Sequence, residues 1–176
     1  RALKTARGAI LAFTDADCIV HRDWLKNGIQ KMAEEDAHLV AGKITFNYSD
    51  SFTIAEIYDS VNFLQHDISV QRRKCAFTAN LFVRRSVFDK VGDFDVVAGW
   101  SGDLCFTRRA TESGFKLVYA KEAIVFHPAR TFLSLLRKMY RINHGHGKSS
   151  KTLFNDFLTT IKSKPHFLNM APLFLK

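Results

Sequence analysis

The sequence predicts an α/β fold, a mixed β-sheet flanked by helices, and three consecutive segments carry that reading. Residues 9–14 (AILAFT) are a short apolar run of the kind that fills a buried strand. Residues 23–36 then set Trp24, Leu25, Ile29, Met32 and Ala33 along one helical face. Residues 39–46 (LVAGKITF) return to a strand pattern, and strand–helix–strand order is the unit from which helix-covered sheets are built.

The remaining elements follow in order. Residues 1–7 read as the last turns of a helix, with Gly8 placed to end it. In 52–74 the side chains Ile54, Ile57, Val61, Leu64 and Ile68 recur at three- and four-residue steps, which predicts one long helix. A strand over 75–83, interrupted by Thr78 and Asn80, and a short helix over 86–90 that stops before Gly92 come next. The loop 93–100 leads to a helix that Ser101 caps and Gly114 ends. Two strands, 116–120 and 123–126, run up to His127-Pro128. Residues 131–143 place Phe132, Leu135, Leu136 and Met139 on one face and Arg137, Lys138 and Arg141 largely on the other, a basic amphipathic helix. A small polar linker, 145–150, and a further helix, 153–161, follow. The expected division is a domain over 1–130 and a helical extension over 131–176.

Composition restricts function without choosing it. A net charge of +9 favours anionic partners such as phosphates, nucleic acid or acidic lipid. Cys18, Cys75 and Cys105 are an odd number with no CxxC, which points to a reducing compartment and away from a disulfide framework or zinc finger. No run of about 18 apolar residues is present to span a membrane.

The chemistry is concentrated at Asp15-Ala16-Asp17, where the first strand ends. Open α/β sheets bind ligands outside the carboxyl ends of their strands. Two carboxylates two residues apart suit one hard, oxygen-loving cation, Mg²⁺ or Mn²⁺, whose remaining positions are filled by water or substrate phosphate. Such a cation neutralises a diphosphate and stabilises it as a leaving group.

Four ordered blocks give the acidic pair its context. They are ARGAILAFTDADCIVHRDWL at 6–25, ANLFVRRSVFDKVGDFD at 79–95, GWSGDLCFTRRATESGFKLVYA at 99–120 and EAIVFHPAR at 122–130. Together they resemble glycosyltransferase family 2. In that family a small basic turn and an apolar strand precede the acid pair, and a Trp-Leu opens the next helix. The later blocks carry its Asn and Arg-Arg turn, its acid at a helix start and its closing His-Pro. The resemblance covers roughly residues 1–145. It implies a GT-A-type fold that lacks, ahead of Arg1, the family's N-terminal nucleotide-binding units. The chain is accordingly expected to be a fragment that binds nucleotide poorly by itself.

The resemblance also implies roles. Asp15 and Asp17 would bind the metal and donor diphosphate, Asp17 more closely. Asp103 would be the general base, although this chain has Gly102-Asp103 where many relatives have Glu-Asp. His127 would be a third metal ligand or a phosphate contact. Asn80 is a candidate for hydrogen bonding donor sugar or acceptor, and Trp100 for stacking on a sugar ring or packing in the fold. Arg84, with Arg85, is a candidate phosphate contact. Residues 138–142 keep only Arg141 of the Gln-x-x-Arg-Trp element of processive synthases, which favours single-sugar transfer.

The expected function is therefore metal-assisted, inverting transfer of one sugar from a nucleotide-diphosphate sugar to a hydroxyl of a glycan, lipid-linked or cell-envelope polysaccharide precursor. The expected location is the cytoplasm, peripherally at the cytoplasmic membrane face through the basic helix. The alternatives are a catalytically inactive GT-A domain or a basic anion- or nucleic-acid-binding module. No RNP, KH or zinc-finger pattern supports nucleic acid.

Overall fold

A computed structural model describes residues 2–95 and 102–144. Trp100, the Ser101 cap, the linker 145–150 and the helix expected at 153–161 lie outside the described residues. The chain divides into two compact units, one of Arg1–Asn47 with Leu64–Pro128 and one of Tyr48–Phe63 with Ala129–Lys176.

The first unit is built on a five-stranded sheet of order β1–β4–β3–β5–β2. The strands are β1 (Ile10–Thr14), β2 (Ile19–Val20), β3 (Leu39–Asn47), β4 (Asn80–Arg84) and β5 (Leu117–Pro128). β3 pairs parallel with β5, while β1–β4, β3–β4 and β2–β5 pair antiparallel. A mixed sheet flanked by helices is thus the architecture, as the sequence predicts. The two-residue period of the central strands separates two apolar layers. Leu39, Ala41, Leu81 and Val83 face one layer with Phe88 of α5 (Arg85–Val91) and Phe106 of α6 (Gly102–Glu112). Val40, Phe82, Ala120 and Val125 face the other with Trp24 and Met32 of α2 (Trp24–Glu34). A short α1 (Ala2–Thr5) precedes β1.

Where local structure departs from the sequence pattern, tertiary hydrogen bonds account for it. The helix expected over 52–74 is broken. α3 (Ile54–Asn62) stops where Phe63 becomes extended and Leu64 takes φ +56°, and a short α4 (His66–Ile68) runs into a π turn at Ser69–Arg73. The new start brings His66, 2 % exposed, into the core of the first unit. Its Nδ1–H donates to the Gly42 carbonyl at 2.7 Å, and its Nε2 accepts from the Phe77 N–H at 2.8 Å. The ring stacks on Phe77. Residues 75–79 therefore form a loop fixed to β3, and β4 begins at Asn80. The two strands expected over 116–126 are one, β5, with a register shift between Gly42 and Lys43 that leaves Lys121 and Glu122 exposed.

The second unit has its own small core, Ala55, Tyr58, Leu135 and Met139, which joins α3 to α7 (Phe132–His144). Thr53 and Glu56 form a reciprocal capping box at the start of α3. Burial pushes the Glu56 carboxyl up, but donors from Thr53 and Ser49 outweigh it and hold the group below its ordinary value. Asp59, fully buried, accepts from Lys138 Nζ at 2.8 Å and the Arg130 N–H at 3.2 Å. No helix among the described residues is long and apolar enough to cross a membrane.

Gly28 sits inside α2, where alanine ordinarily gains about 1 kcal/mol over glycine. A Cβ there would lie 2.2 Å from the Phe82 ring. Overpacking of this kind costs about 1–3 kcal/mol, so Gly28→Ala is expected to lower stability in urea unfolding; a stabilised variant would show the helix is free to shift. Burial, partly offset by the hydrogen bonds to Gly42 and Phe77, lowers the His66 pKa to about 4. The folded chain then binds fewer protons than the unfolded one, whose His titrates near its ordinary value. The stabilisation is full above pH about 6.5 and falls by up to about 3 kcal/mol as the pH drops toward about 4. Wild type is expected to lose stability more steeply across that window than His66→Gln, and parallel curves would remove His66 from the effect.

Candidate active site

The carboxyl ends of β1, β3 and β5 gather the acids and His127. β1 runs parallel to β3 because β4 is antiparallel to both, so Thr14, Asn47 and Pro128 end at the same edge of the sheet. A turn follows β1, closed by the Cys18 N–H on the Asp15 carbonyl at 3.1 Å. β2 then pairs with β5 through Ile19↔Phe126. That pairing folds the turn back over the end of β5.

His127 is 1 % exposed, whereas Asp15 and Asp17 are 44 % and 50 % exposed. Its Nδ1 lies 2.8 Å from the Pro128 carbonyl. A carbonyl can only accept, so Nδ1 carries a hydrogen, and in the neutral ring Nε2 is the nitrogen that presents a lone pair. Nε2 lies 4.0 Å from Asp15 Oδ2 and 3.9 Å from Asp17 Oδ1. Ligand atoms of Asp17, Cys18 and His127 all fall within 4.8 Å of one another. Oxygen, nitrogen and sulfur donors converging in so small a space fit a divalent cation, and the bond from Nδ1 to a carbonyl is the usual support for a metal-binding imidazole.

Asp103 lies beside this cluster. A cleft of about 420 Å³ is lined by Phe13, Thr14, Asp15, Thr78, Gly102 and Asp103, among others. Asp103 opens α6, and its Oδ1 accepts the Leu104 N–H at 2.8 Å. Its Oδ2 accepts the Thr78 N–H at 3.1 Å and the Thr78 hydroxyl at 3.4 Å. Burial raises its pKa, and those same hydrogen bonds limit the rise. A Cβ at Gly102 would lie 3.0 Å from the Asp95 carbonyl, so a side chain there would need that backbone to give by a few tenths of an ångström.

The other sequence candidates are placed differently. Asn80 is fully buried beneath the edge. Its Oδ1 accepts from Trp24 Nε1, and its Nδ2 donates to the Lys43 and Ala123 carbonyls, each at 2.8 Å. In the structure the amide joins strands and anchors Trp24, within the fold. Arg84 is at the far end of β4, paired with Ile10, where it donates to the Ala37 carbonyl at 2.9 Å and to Asp36 at 3.3 Å. It is not among the residues that line the cleft. Trp100 is not among the described residues. Sequence reasoning missed three contributors: Cys18, treated only as a redox marker; Thr78, seen only as a polar interruption of a strand; and His66, concealed in a helical pattern. The adjacency of Cys18 to Asp17 was the one available signal.

The model of glycosyl transferase family 2 matches residues 1–92. The chain is 41% identical over 143 residues to glycosyltransferase AglE of Haloferax volcanii, covering 81% of this chain and 47% of that protein. It thus spans about half the length of the curated relative it matches. Mannosyltransferase PcManGT from Pyrobaculum calidifontis, solved in complex with GDP-Man and Mn²⁺, shares the GT-A fold: the TM-score is 0.57 at 17% identity, over 80% of this chain and 37% of that one. With the family match extending over 92 of 176 residues, and the acid-pair strand and Asn-Arg-Arg block falling within it, the chain belongs to glycosyl transferase family 2.

Proposed function

We propose that the protein is an inverting glycosyltransferase that moves a single sugar from a nucleotide-diphosphate sugar to a hydroxyl acceptor. One observation carries the reading: Asp15 of the acid pair and the carboxylate of Asp103 line a single cleft. The acceptor hydroxyl attacks the anomeric carbon from the face opposite the departing diphosphate, and Asp103 takes the hydroxyl proton as the new bond forms. Thr78 and Leu104 fix the orientation of the carboxylate. Its raised pKa makes it a stronger base than an exposed aspartate. Asp15, Asp17 and His127 would hold a divalent cation, manganese or magnesium, whose charge stabilises the leaving diphosphate. The Mn²⁺ and GDP-Man held by the mannosyltransferase of the same fold support the donor class and make GDP-sugars the first to try.

Contact with a membrane from the cytoplasmic side, where lipid-linked or cell-envelope acceptors lie, is part of the proposal. Its support is the outer face of α7, where Phe132, Leu133 and Leu136 are 52%, 57% and 38% exposed. Lys138 is spent on Asp59. Half-burying those three side chains in lipid offers together about 3–4 kcal/mol, against about 1 kcal/mol for Arg137 near an anionic surface. Apolar insertion should dominate.

The reading is tested by transfer assays on the full-length protein with GDP-, UDP- and dTDP-sugars and Mn²⁺. Asp103→Asn is expected to lower kcat about 10²- to 10⁴-fold with little change in donor KM, and Asp17→Ala to abolish metal stimulation. Full turnover in both variants would sink the site. In vesicle co-sedimentation, Leu133→Asp with Leu136→Asp should release the protein more completely than raised salt does; the opposite ranking would make the attachment electrostatic.

A further inference from the structure

We propose that Cys18 is a protein ligand of the cation centre formed with Asp17 and His127, and that its sulfur gives the centre a preference for a borderline-soft cation, zinc or cobalt, over magnesium. The inference rests on the metal-centre reading above and deepens it.

Sheet register puts the thiol there independently of the acid motif. Ile19 pairs with Phe126 and Val20 with Val125 in an antiparallel ladder. Extending that register by one residue sets Cys18 directly across from His127, where side chains on one face stand about 4.5–5.5 Å apart at Cβ. The separations agree, since Sγ, an Asp17 carboxylate oxygen and a His127 ring nitrogen all lie within 4.8 Å of one another. His127 is almost wholly buried, and its ring is fixed by the Pro128 carbonyl, so Nε2 is held toward this space. Cys18 is half-buried and held by its own N–H on the Asp15 carbonyl.

In a tetrahedral zinc site, metal–ligand bonds of about 2.0–2.3 Å bring neighbouring donors to about 3.3–3.8 Å. Closing from the observed spacing takes on the order of 1 Å of side-chain rotation, which half-exposed Asp17 can supply. On binding, the sulfur–hydrogen bond breaks, its proton passes to solvent, and a sulfur–metal bond forms with no change of oxidation state. Thiolate and imidazole favour zinc and cobalt, whereas magnesium seeks only oxygen. An acid pair followed immediately by cysteine would therefore bind Zn²⁺ in competition with Mn²⁺.

The test is a Co²⁺ titration of the full-length protein, read by absorption, with Zn²⁺ competition. A thiolate-to-cobalt charge-transfer band is expected in wild type and in Cys105→Ser and Cys75→Ser. It should vanish in both Cys18→Ser and Cys18→Ala, each checked for folding by circular dichroism. Loss of the sulfur should weaken Zn²⁺ binding by about 10- to 100-fold or more, while Mn²⁺ affinity stays within about threefold. Co²⁺ bound in an Asp17-dependent way without that band would overturn the role of Cys18 and leave the metal centre standing. No Co²⁺ or Mn²⁺ bound to wild type would overturn both.

Discussion

The acid-bearing edge of the sheet depends on the side-chain amide of Asn80. β3 and β5 lose register between Gly42 and Lys43, because Ala120 faces Gly42 while Ile124 faces Lys43. At that point Nδ2 of Asn80 donates to the carbonyls of both Lys43 and Ala123. Its Oδ1 meanwhile accepts the indole N–H of Trp24, which anchors α2. One side chain thus satisfies three groups that would each cost about 1–3 kcal/mol if buried alone. The arrangement needs glycine at 42, since a Cβ there would lie 2.4 Å from the Asn80 amide and from the Ala123 carbonyl. The irregular pairing is what lets β5 continue to His127 in step with Phe46 of β3.

From the same glycine a second line of hydrogen bonds reaches Asp103. The Gly42 carbonyl holds His66, His66 holds the Phe77 N–H, and neighbouring Thr78 holds the Asp103 carboxylate. Thr107, one turn into α6, ties the helix to Ala76 in both directions. The half-buried carboxylate of Asp103 and the more exposed acid pair are therefore set by different means. Asp103 is positioned by neutral donors in a partly dry pocket that raises its basicity. Asp15 and Asp17 stand in solvent on a short turn, suited to a charged ligand that arrives with its own counter-charge. Under the proposed function, separating the two environments would let one carboxylate act as the base while the others bind charge.

What the sequence disclosed follows from which forces are local. β1, the acid pair and α2 were legible because apolar period and turn chemistry act within a few residues. The placement of Asp103 at the start of α6 and of His127 near the end of β5 was legible through the ordered motifs, which carry long-range geometry in compressed form. β2 was not, since Ile19 and Val20 are two exposed residues, 66% and 41%, with no period to detect. The break at 62–64 was hidden because three- and four-residue spacing continues across it, while the reason for it, a histidine bonded to β3, is tertiary. The position of Arg84 is likewise set by geometry that its place in the motif does not disclose. Four residues along a strand span about 13 Å, so the arginine that follows Asn80 in sequence is carried to the opposite end of the sheet.

The charge of +9 misleads in a related way. A guanidinium or ammonium group counts once toward net charge, but its donors can already be occupied. Arg84 caps the Ala37 carbonyl, Arg85 those of Gly8 and Ala6, and Arg109 those of Val91 and Asp93. Lys116 reaches Glu35, and Lys138 reaches Asp59 while lying over the Phe63 ring. These cations use their donors to close backbone carbonyls and carboxylates in the fold, which is the use to which arginine's planar five-donor fork is suited. They still contribute to the long-range field that draws anions inward. Among the described residues, these five cations spend donors on the protein itself, so the net charge overstates how many are available for close contact with an anionic backbone. For this chain the discriminating information lies in where three carboxylates and one imidazole are set along a sheet edge.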